Sequence, residues 1–167
     1  MAREYTVTGD NQSLNAVGPP LTIVQLNPSA GGAGVPGFEV LRCWVSQRAN
    51  ATSAQQGMKF GTKVATFDTV VGVTPAKTKL GDPAANLVSG TGGAGTAGIN
   101  AGTIGGGTLT NIYTDNFNSL NGWLWVATPP ETLVFMPGGT SAFSLAFSAT
   151  PGTTTGWSWG VLYREVG

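Results

Sequence analysis

Residues 143–148 read FSLAFS, and this stretch indicates the fold more clearly than any other part of the chain. Its large apolar side chains alternate with small ones, as expected of a β-strand whose side chains point in turn to opposite faces. The C-terminal segment repeats the pattern, with Trp157, Trp159, Val161 and Tyr163 at every second position. We therefore expect both segments to be strands that cover one hydrophobic core.

The composition extends this interpretation to the whole chain of 167 residues, which holds 26 glycines and 10 prolines. Both residue types disfavour helix interiors, whereas the abundant Thr, Val and aromatic residues suit pleated sheets. Short alternating bursts recur between Pro/Gly-rich turns, and no window shows sustained helical spacing. The sequence predicts a single all-β domain over residues 1–167, an antiparallel double-sheet jelly-roll sandwich of about eight to ten strands.

The strand patterns also predict which side chains form the core. Cys43 lies in a strand-like stretch, where a lone thiol behaves as a small, inert hydrophobic residue. The Trp157 to Tyr163 band fits core packing, and an exposed platform that stacks on sugars is the alternative. Our core candidates are Leu41, Cys43, Val45, Trp123, Trp125, Phe143, Leu145, Phe147, Trp157, Trp159 and Val161.

Two segments stand apart from the strand patterns. Residues 3–8 alternate and predict a first strand, but residues 1–20 as a whole are expected to act as an N-terminal arm. Residues 81–107 are predicted to be a long Gly-rich loop, in which Ile99 and Ile104 are the only large side chains after residue 90. These two side chains can bury too little apolar area to offset the conformational entropy that the backbone loses on ordering. The loop is therefore either mobile or ordered by a partner.

The residue inventory argues against an enzyme. The chain has no histidine, which removes the usual base of a Ser or Cys triad and the commonest transition-metal ligand. Residues 32–37 and 93–98 match G-x-G-x-x-G, but neither precedes a helix whose N-terminus could hold a phosphate. We expect no catalytic centre, no cofactor and no metal site.

The charge and hydropathy of the chain limit the classes of partner that we expect it to bind. Eight basic and eight acidic residues make up only 10% of the chain, and they form no basic stripe, so nucleic acid is an unexpected partner. A surface with so little charge repulsion suits a protein that associates with others. No apolar run is long enough for a membrane span or a secretory signal, so we expect synthesis and folding in a cytoplasm.

The C-terminal third carries a resemblance to a known group. Residues 113–117 (YTDNF), 121–125 (NGWLW), 128–131 (TPPE) and 160–167 (GVLYREVG) resemble a family of small proteins encoded among the structural genes of tailed bacteriophages. Such proteins resemble capsid decoration, or cement, proteins: jelly-roll domains, often trimeric, that bind the outside of the icosahedral shell and brace it. The resemblance implies a virion location, the major capsid protein as partner, and a homotrimer.

The resemblance also implies that loops and the N-terminal arm make the contacts. We therefore predict that Arg3, Glu4, Tyr5, Ile99 and Ile104 order against the shell or sister subunits. Two other roles stay open: a receptor- or glycan-binding module of a tail spike or fibre, and a neck or tail adaptor.

Overall fold

The computed structural model describes residues 3–15, 18–31, 35–48, 52–129, 132–138 and 140–166. Within these ranges the protein is all-β, without a helix, and its two antiparallel sheets pack face to face. The strands are β1 (Arg3–Gln12), β2 (Leu21–Leu26), β3 (Gly37–Gln47), β4 (Gln55–Val64), β5 (Thr69–Gly72), β6 (Ala76–Lys77), β7 (Val88–Ser89), β8 (Thr96–Thr103), β9 (Thr108–Asn118), β10 (Trp123–Val126), β11 (Leu133–Phe135), β12 (Ser141–Phe147) and β13 (Trp157–Val166).

Six strands form sheet A, in the order β10-β3-β13-β1-β6, with β11 beside β10 on the same edge of β3. Seven strands form sheet B, in the order β5-β8-β2-β12-β4-β9, with the short β7 paired in parallel to β8. Side chains from the inner faces of the two sheets meet in a single core, rich in aromatic rings.

Eight strands pair in the nested order of a jelly roll. Of these eight, the first pairs with the last, β1 with β13, and the second with the seventh, β2 with β12. The third and sixth, β3 and β10, and the fourth and fifth, β4 and β9, complete the series. Successive pairs alternate between the sheets, as in a double-sheet jelly roll, so the predicted fold class is confirmed. The strand count exceeds the prediction because five strands add to these eight: the short β11, and β5, β6, β7 and β8, which lie between β4 and β9 in the chain.

Most of the predicted core is confirmed. Trp125 is half-buried and packs against the core. The prediction for Leu41 is wrong: this side chain is only half-buried, because β3 bulges there and Leu41 has no partner opposite it on β13. The candidates that are at most 7% exposed are Cys43, Val45, Trp123, Phe143, Leu145, Phe147, Trp157, Trp159 and Val161.

The prediction of an N-terminal arm over residues 1–20 is wrong where the structure describes it. Residues 3–12 form β1, which lies between β13 and β6 inside sheet A. The alternation that suggested a first strand is real, because Tyr5 and Val7 point inward and are completely buried. Residues 1, 2, 16 and 17 lie outside the described residues.

The prediction of a Gly-rich loop over residues 81–107 is also wrong for its central part. Residues 96–103 form β8, which lies between β5 and β2 in sheet B. Small side chains are required there, since a Cβ on Gly98 would lie 2.3 Å from Cγ2 of Val70. The backbone of β8 pairs with β2 and β5, and its Ala97 and Ile99 side chains are buried in the core.

Candidate interaction surface

Residues 65–107, between β4 and β9, form an insertion whose strands β5 and β8 extend sheet B and whose loops cover part of the outer face of that sheet. Beneath it lies an ion pair in which Lys63 Nζ is 2.5 Å from Asp68 Oδ1, and both residues are 1% exposed. The Asp68 carboxylate also accepts hydrogen bonds from the Thr22 hydroxyl at 2.6 Å and the Gly105 amide at 2.8 Å. The buried charge is therefore paired and hydrogen-bonded, which its burial requires.

The same polar layer fixes the insertion to β2 and β12. The Gln25 side chain donates to the Asp68 carbonyl at 3.2 Å and accepts from the Asp68 amide at 3.0 Å. The hydroxyls of Thr22 and Ser144 lie 3.1 Å apart, and Asn27 donates to the carbonyls of Gly92 and Gly93. These side chains all point away from the core, yet they are buried, so this part of sheet B presents no surface to a partner.

The insertion also closes one side of the sandwich. Its strand β6 pairs with β1, so it extends sheet A as well as sheet B. Asn86 donates to both carboxylate oxygens of Glu165, at 2.5 Å from the backbone amide and 2.8 Å from the side chain. The Tyr5 hydroxyl donates to the Pro83 carbonyl at 3.2 Å. The opposite side, where β9 and β10 lie, has no such cover among the described residues.

Part of the outer face of sheet A is apolar and exposed. Leu124, Val126 and Val134 are 63%, 52% and 48% exposed, and the half-buried Trp44 and Leu162 adjoin them. The strand register places them on one face, with Leu124 opposite Trp44 and Val126 opposite Arg42. Large contiguous exposed apolar patches are typical of interaction sites, so this region is the candidate surface. We call this set of five residues the sheet A patch.

Trp44 anchors the sheet A patch. Its indole lies over Gly160, where a Cβ would approach the ring to 2.1 Å, so only glycine leaves room for it. The Arg42 guanidinium lies 5.3 Å from the centre of the same ring, within cation–π range. A shallow pocket of about 330 Å³ opens beside Trp44 and Leu124 and is bounded by Ser46 and Asn121. The rigid ring and the pocket give the patch a defined shape.

Four charged side chains lie on this face around the sheet A patch: Glu4, Glu39, Arg42 and Arg164. The main ion pair on it joins Arg164 to Glu39, with two guanidinium nitrogens at 3.0 and 2.6 Å from one carboxylate oxygen. Glu39 is 6% exposed, so the pair neutralises itself within the sheet.

The contact residues predicted from the sequence do not come together. Tyr5 is completely buried and Ile99 is 5% exposed, so the predictions that they contact a partner are wrong, since both point into the protein. Arg3 is exposed, and Glu4 and Ile104 are half-buried on separate elements. The sheet A patch was missed, although residues 123–128 have apolar side chains on both faces, which was the signal for it.

The aromatic band of β13 and the Cys43 thiol are both buried. Trp157 and Trp159 are at most 1% exposed, so the alternative that this band is an exposed sugar platform is wrong. Burial raises the pKa of the Cys43 thiol well above its usual range and keeps it protonated at neutral pH. Residues 93–98 lead into β8 and not into a helix, whereas residues 32–34 of the other Gly-rich motif lie outside the described residues.

No group of three or more His, Cys, Asp or Glu side chains in the described residues could hold a metal ion. No helix in the described part of the chain is long and apolar enough to cross a membrane.

Comparison of the chain with protein-family models, with curated proteins and with solved structures gave no match.

Proposed function

We propose that this chain is a non-enzymatic structural protein of a tailed-phage virion, which binds the outside of the capsid and stabilises the shell. Its partners would be the major capsid protein and, in a homotrimer, sister subunits. The resemblance of the C-terminal third suggests this class, and the jelly roll is a fold that viral capsid proteins use. Fold alone does not define a role, so the proposal depends on a surface.

The sheet A patch is the observation that carries the proposal. Exposed Leu and Val side chains on a flat sheet face lose unfavourable hydration when a partner covers them, at about 25 cal/mol per Å² of apolar area. A specific interface buries about 800 Å² on each partner, which is roughly a tenth of the 7613 Å² surface of this chain. One outer face of a six-stranded sheet is large enough to supply that area.

The charge distribution supports the same use of this face. Interface centres are depleted in charged residues and enriched in Trp, Met and Arg. Trp44 belongs to the sheet A patch, the neighbouring Arg42 lies over its ring, and Met136, which is 61% exposed, follows β11. Since the sequence offers little charge anywhere, association through this face depends on shape and apolar area, and added salt should weaken it only slightly.

The test is binding to capsids that were purified without this protein. We expect Val126→Glu to abolish co-sedimentation with the shell, because a charge in the patch would be buried without a partner. Val71→Glu is the matched control, since Val71 is 56% exposed, close to the 52% of Val126, but lies on β5 in the insertion. Equal occupancy of the two variants on the shell would refute the proposed surface.

A further inference from the structure

Four residues, 119–122, connect β9 at the edge of sheet B to β10 at the edge of sheet A. The connection ends with Asn121 and Gly122, and Asn121 is the only asparagine in the chain that is followed by glycine. Asparagine is among the thermally labile residues of proteins. Its side-chain amide can react with the next backbone nitrogen to close a five-membered ring, and glycine favours this reaction because no Cβ crowds that nitrogen.

Hydrogen bonds hold the first half of the connection in place. The Asn118 side chain, at the end of β9, accepts from the Leu120 amide at 3.0 Å and donates to the Ser53 hydroxyl. An asparagine whose side-chain amide is held at both its oxygen and its nitrogen is not free to turn towards the backbone. Asn118 is therefore protected from this reaction, although it lies only three residues from Asn121.

The second half of the connection lacks these restraints. Asn121 is exposed, and its side chain makes no hydrogen bond with any residue that the structure describes. The Gly122 amide likewise has no hydrogen-bond partner in the described part of the chain. Its φ of 70° lies in the left-handed region, which glycine adopts without strain. Both reacting groups, the side-chain amide and the backbone nitrogen, are thus available to each other.

The same two residues border the sheet A patch. Asn121 and Gly122 line the shallow pocket together with Trp44 and Leu124, and the residues that line it carry no charge. A carboxylate at position 121 would therefore place a negative charge beside an apolar pocket that a partner has to cover. Burial of an unpaired charge is costly, so such a change would oppose binding there.

We propose that Asn121 is a site of spontaneous deamidation, which weakens binding through the sheet A patch. The Gly122 nitrogen forms a bond to Cγ of Asn121, and the bond from Cγ to Nδ2 breaks. Nδ2 leaves as ammonia and takes up the proton that the Gly122 nitrogen loses. Water then opens the cyclic imide: attack at Cγ gives aspartate, and attack at the backbone carbonyl carbon gives isoaspartate. Either product carries a negative charge at neutral pH.

The modification and its effect on binding are separate parts of the inference. The chemistry at Asn121 does not depend on what the protein binds, whereas the effect on binding rests on the proposed attachment to a capsid. Failure of the fresh chain to bind capsids would refute the proposed function and the effect on binding together. The change in mass at Asn121 would still establish the modification site.

The first experiment ages the intact chain in buffer at physiological temperature and follows Asn121 by mass spectrometry of chymotryptic peptides. We expect the mass gain of an amide that becomes a carboxylic acid, with aspartate and isoaspartate as two products. Asn118, which is held by hydrogen bonds, and Asn111, which is exposed but followed by Ile112, are internal controls. Asn121 should react at least about tenfold faster than either, a difference of about 1.4 kcal/mol in activation free energy.

The second experiment measures occupancy on capsids that were purified without this protein. Asn121→Asp and the aged chain should both bind at least about tenfold more weakly than the fresh chain. Asn121→Gln cannot close the five-membered ring, so its aged and fresh samples should bind alike. Asn111→Asp is the charge control, since it adds the same charge on β9 in sheet B, and we expect it to bind like the unmodified chain.

Three results would overturn the inference. The first is an Asn121 amide that survives ageing for as long as the amides of Asn118 and Asn111. The second is an Asn121→Asp variant that occupies the shell as fully as the fresh chain. The third is equal weakening by Asn121→Asp and Asn111→Asp, which would assign the effect to net charge rather than to the pocket.

Discussion

The outer faces of the two sheets differ in polarity and in exposure to solvent. The outer face of sheet B is polar at Thr22, Gln25 and Lys63, yet it is buried, because the chain covers it with its own insertion. The outer face of sheet A is apolar at Leu124 and Val126, yet it is exposed. This exposed apolar patch is the feature on which the proposed binding to a capsid depends.

The largest expected effect comes from breaking the polar layer beneath the insertion. Lys63→Met leaves the Asp68 carboxylate buried without its cation, which should destabilise the fold by about 3–5 kcal/mol. Lys59→Met is the control, because Lys59 is half-buried on the same side of β4, and we expect a loss of at most about 1 kcal/mol.

Urea unfolding would measure both free energies. The double variant Lys63→Met, Asp68→Asn should recover part of the loss, since it removes the uncompensated charge. If Lys63→Met and Lys59→Met are equally stable, the buried pair does not hold the cover in place.

A second effect tests how closely the insertion packs on itself. A Cβ on Gly105 would lie 2.1 Å from the Phe67 carbonyl oxygen, whereas a Cβ on Gly106 has no neighbour within 4 Å. Gly105→Ala should therefore destabilise the protein by about 1–3 kcal/mol, and Gly106→Ala by less than about 0.5 kcal/mol. Thermal unfolding of the two variants compares adjacent positions directly, and equal midpoints would contradict the close packing.

A smaller effect concerns the core that both sheets share. Burial, and then the nearby Glu165 carboxylate, raise the pKa of Tyr163 above its usual value of 10.0. The unfolded chain would lose this proton near pH 10 while the folded chain keeps it, so stability falls as the pH rises above that value. The slope is at most about 1.4 kcal/mol per pH unit for this group.

Tyr163→Phe should remove that part of the alkaline loss. At neutral pH it should change stability by no more than about 1 kcal/mol, because the buried hydroxyl makes no hydrogen bond with the described residues. Unfolding curves at pH 7 and at pH 11 measure both quantities, and an unchanged slope in the variant would contradict the assignment.

The smallest effect on stability is expected on the bare face. Val126→Thr should change the free energy of unfolding by less than about 0.5 kcal/mol, since its side chain is half exposed. Ala142→Thr, at an outward position of the covered sheet B, should destabilise the fold by about 1–3 kcal/mol, because Ala142 is completely buried. Equal losses of stability in the two variants would contradict the difference in burial between the two outer faces.

The sequence was sufficient to predict the fold class and most of the core. Alternation in residues 143–148 and 157–163 depends only on side-chain direction in a strand, so it survives without tertiary information. The prediction that Leu41 belongs to the core was wrong because a bulge interrupts that alternation, and a single sequence gives little sign of a bulge.

The surfaces were harder to predict. Gly-rich β8 has few apolar side chains, and its order comes from neighbours that are distant in sequence, such as β2. Lys63 and Asp68 are only five residues apart in the sequence. The burial of this ion pair depends on the insertion, which returns over Lys63 at Gly105. Exposure of Val126 depends on what lies over sheet A, and alternation alone does not reveal that.

The most direct test of the central claim is an electron cryomicroscopy reconstruction of particles that carry this protein. We expect trimers on the outside of the shell in which Leu124, Val126 and Val134 are buried against capsid protein or sister subunits. A reconstruction in which these three side chains face solvent, or in which the protein is absent from the shell, would contradict it.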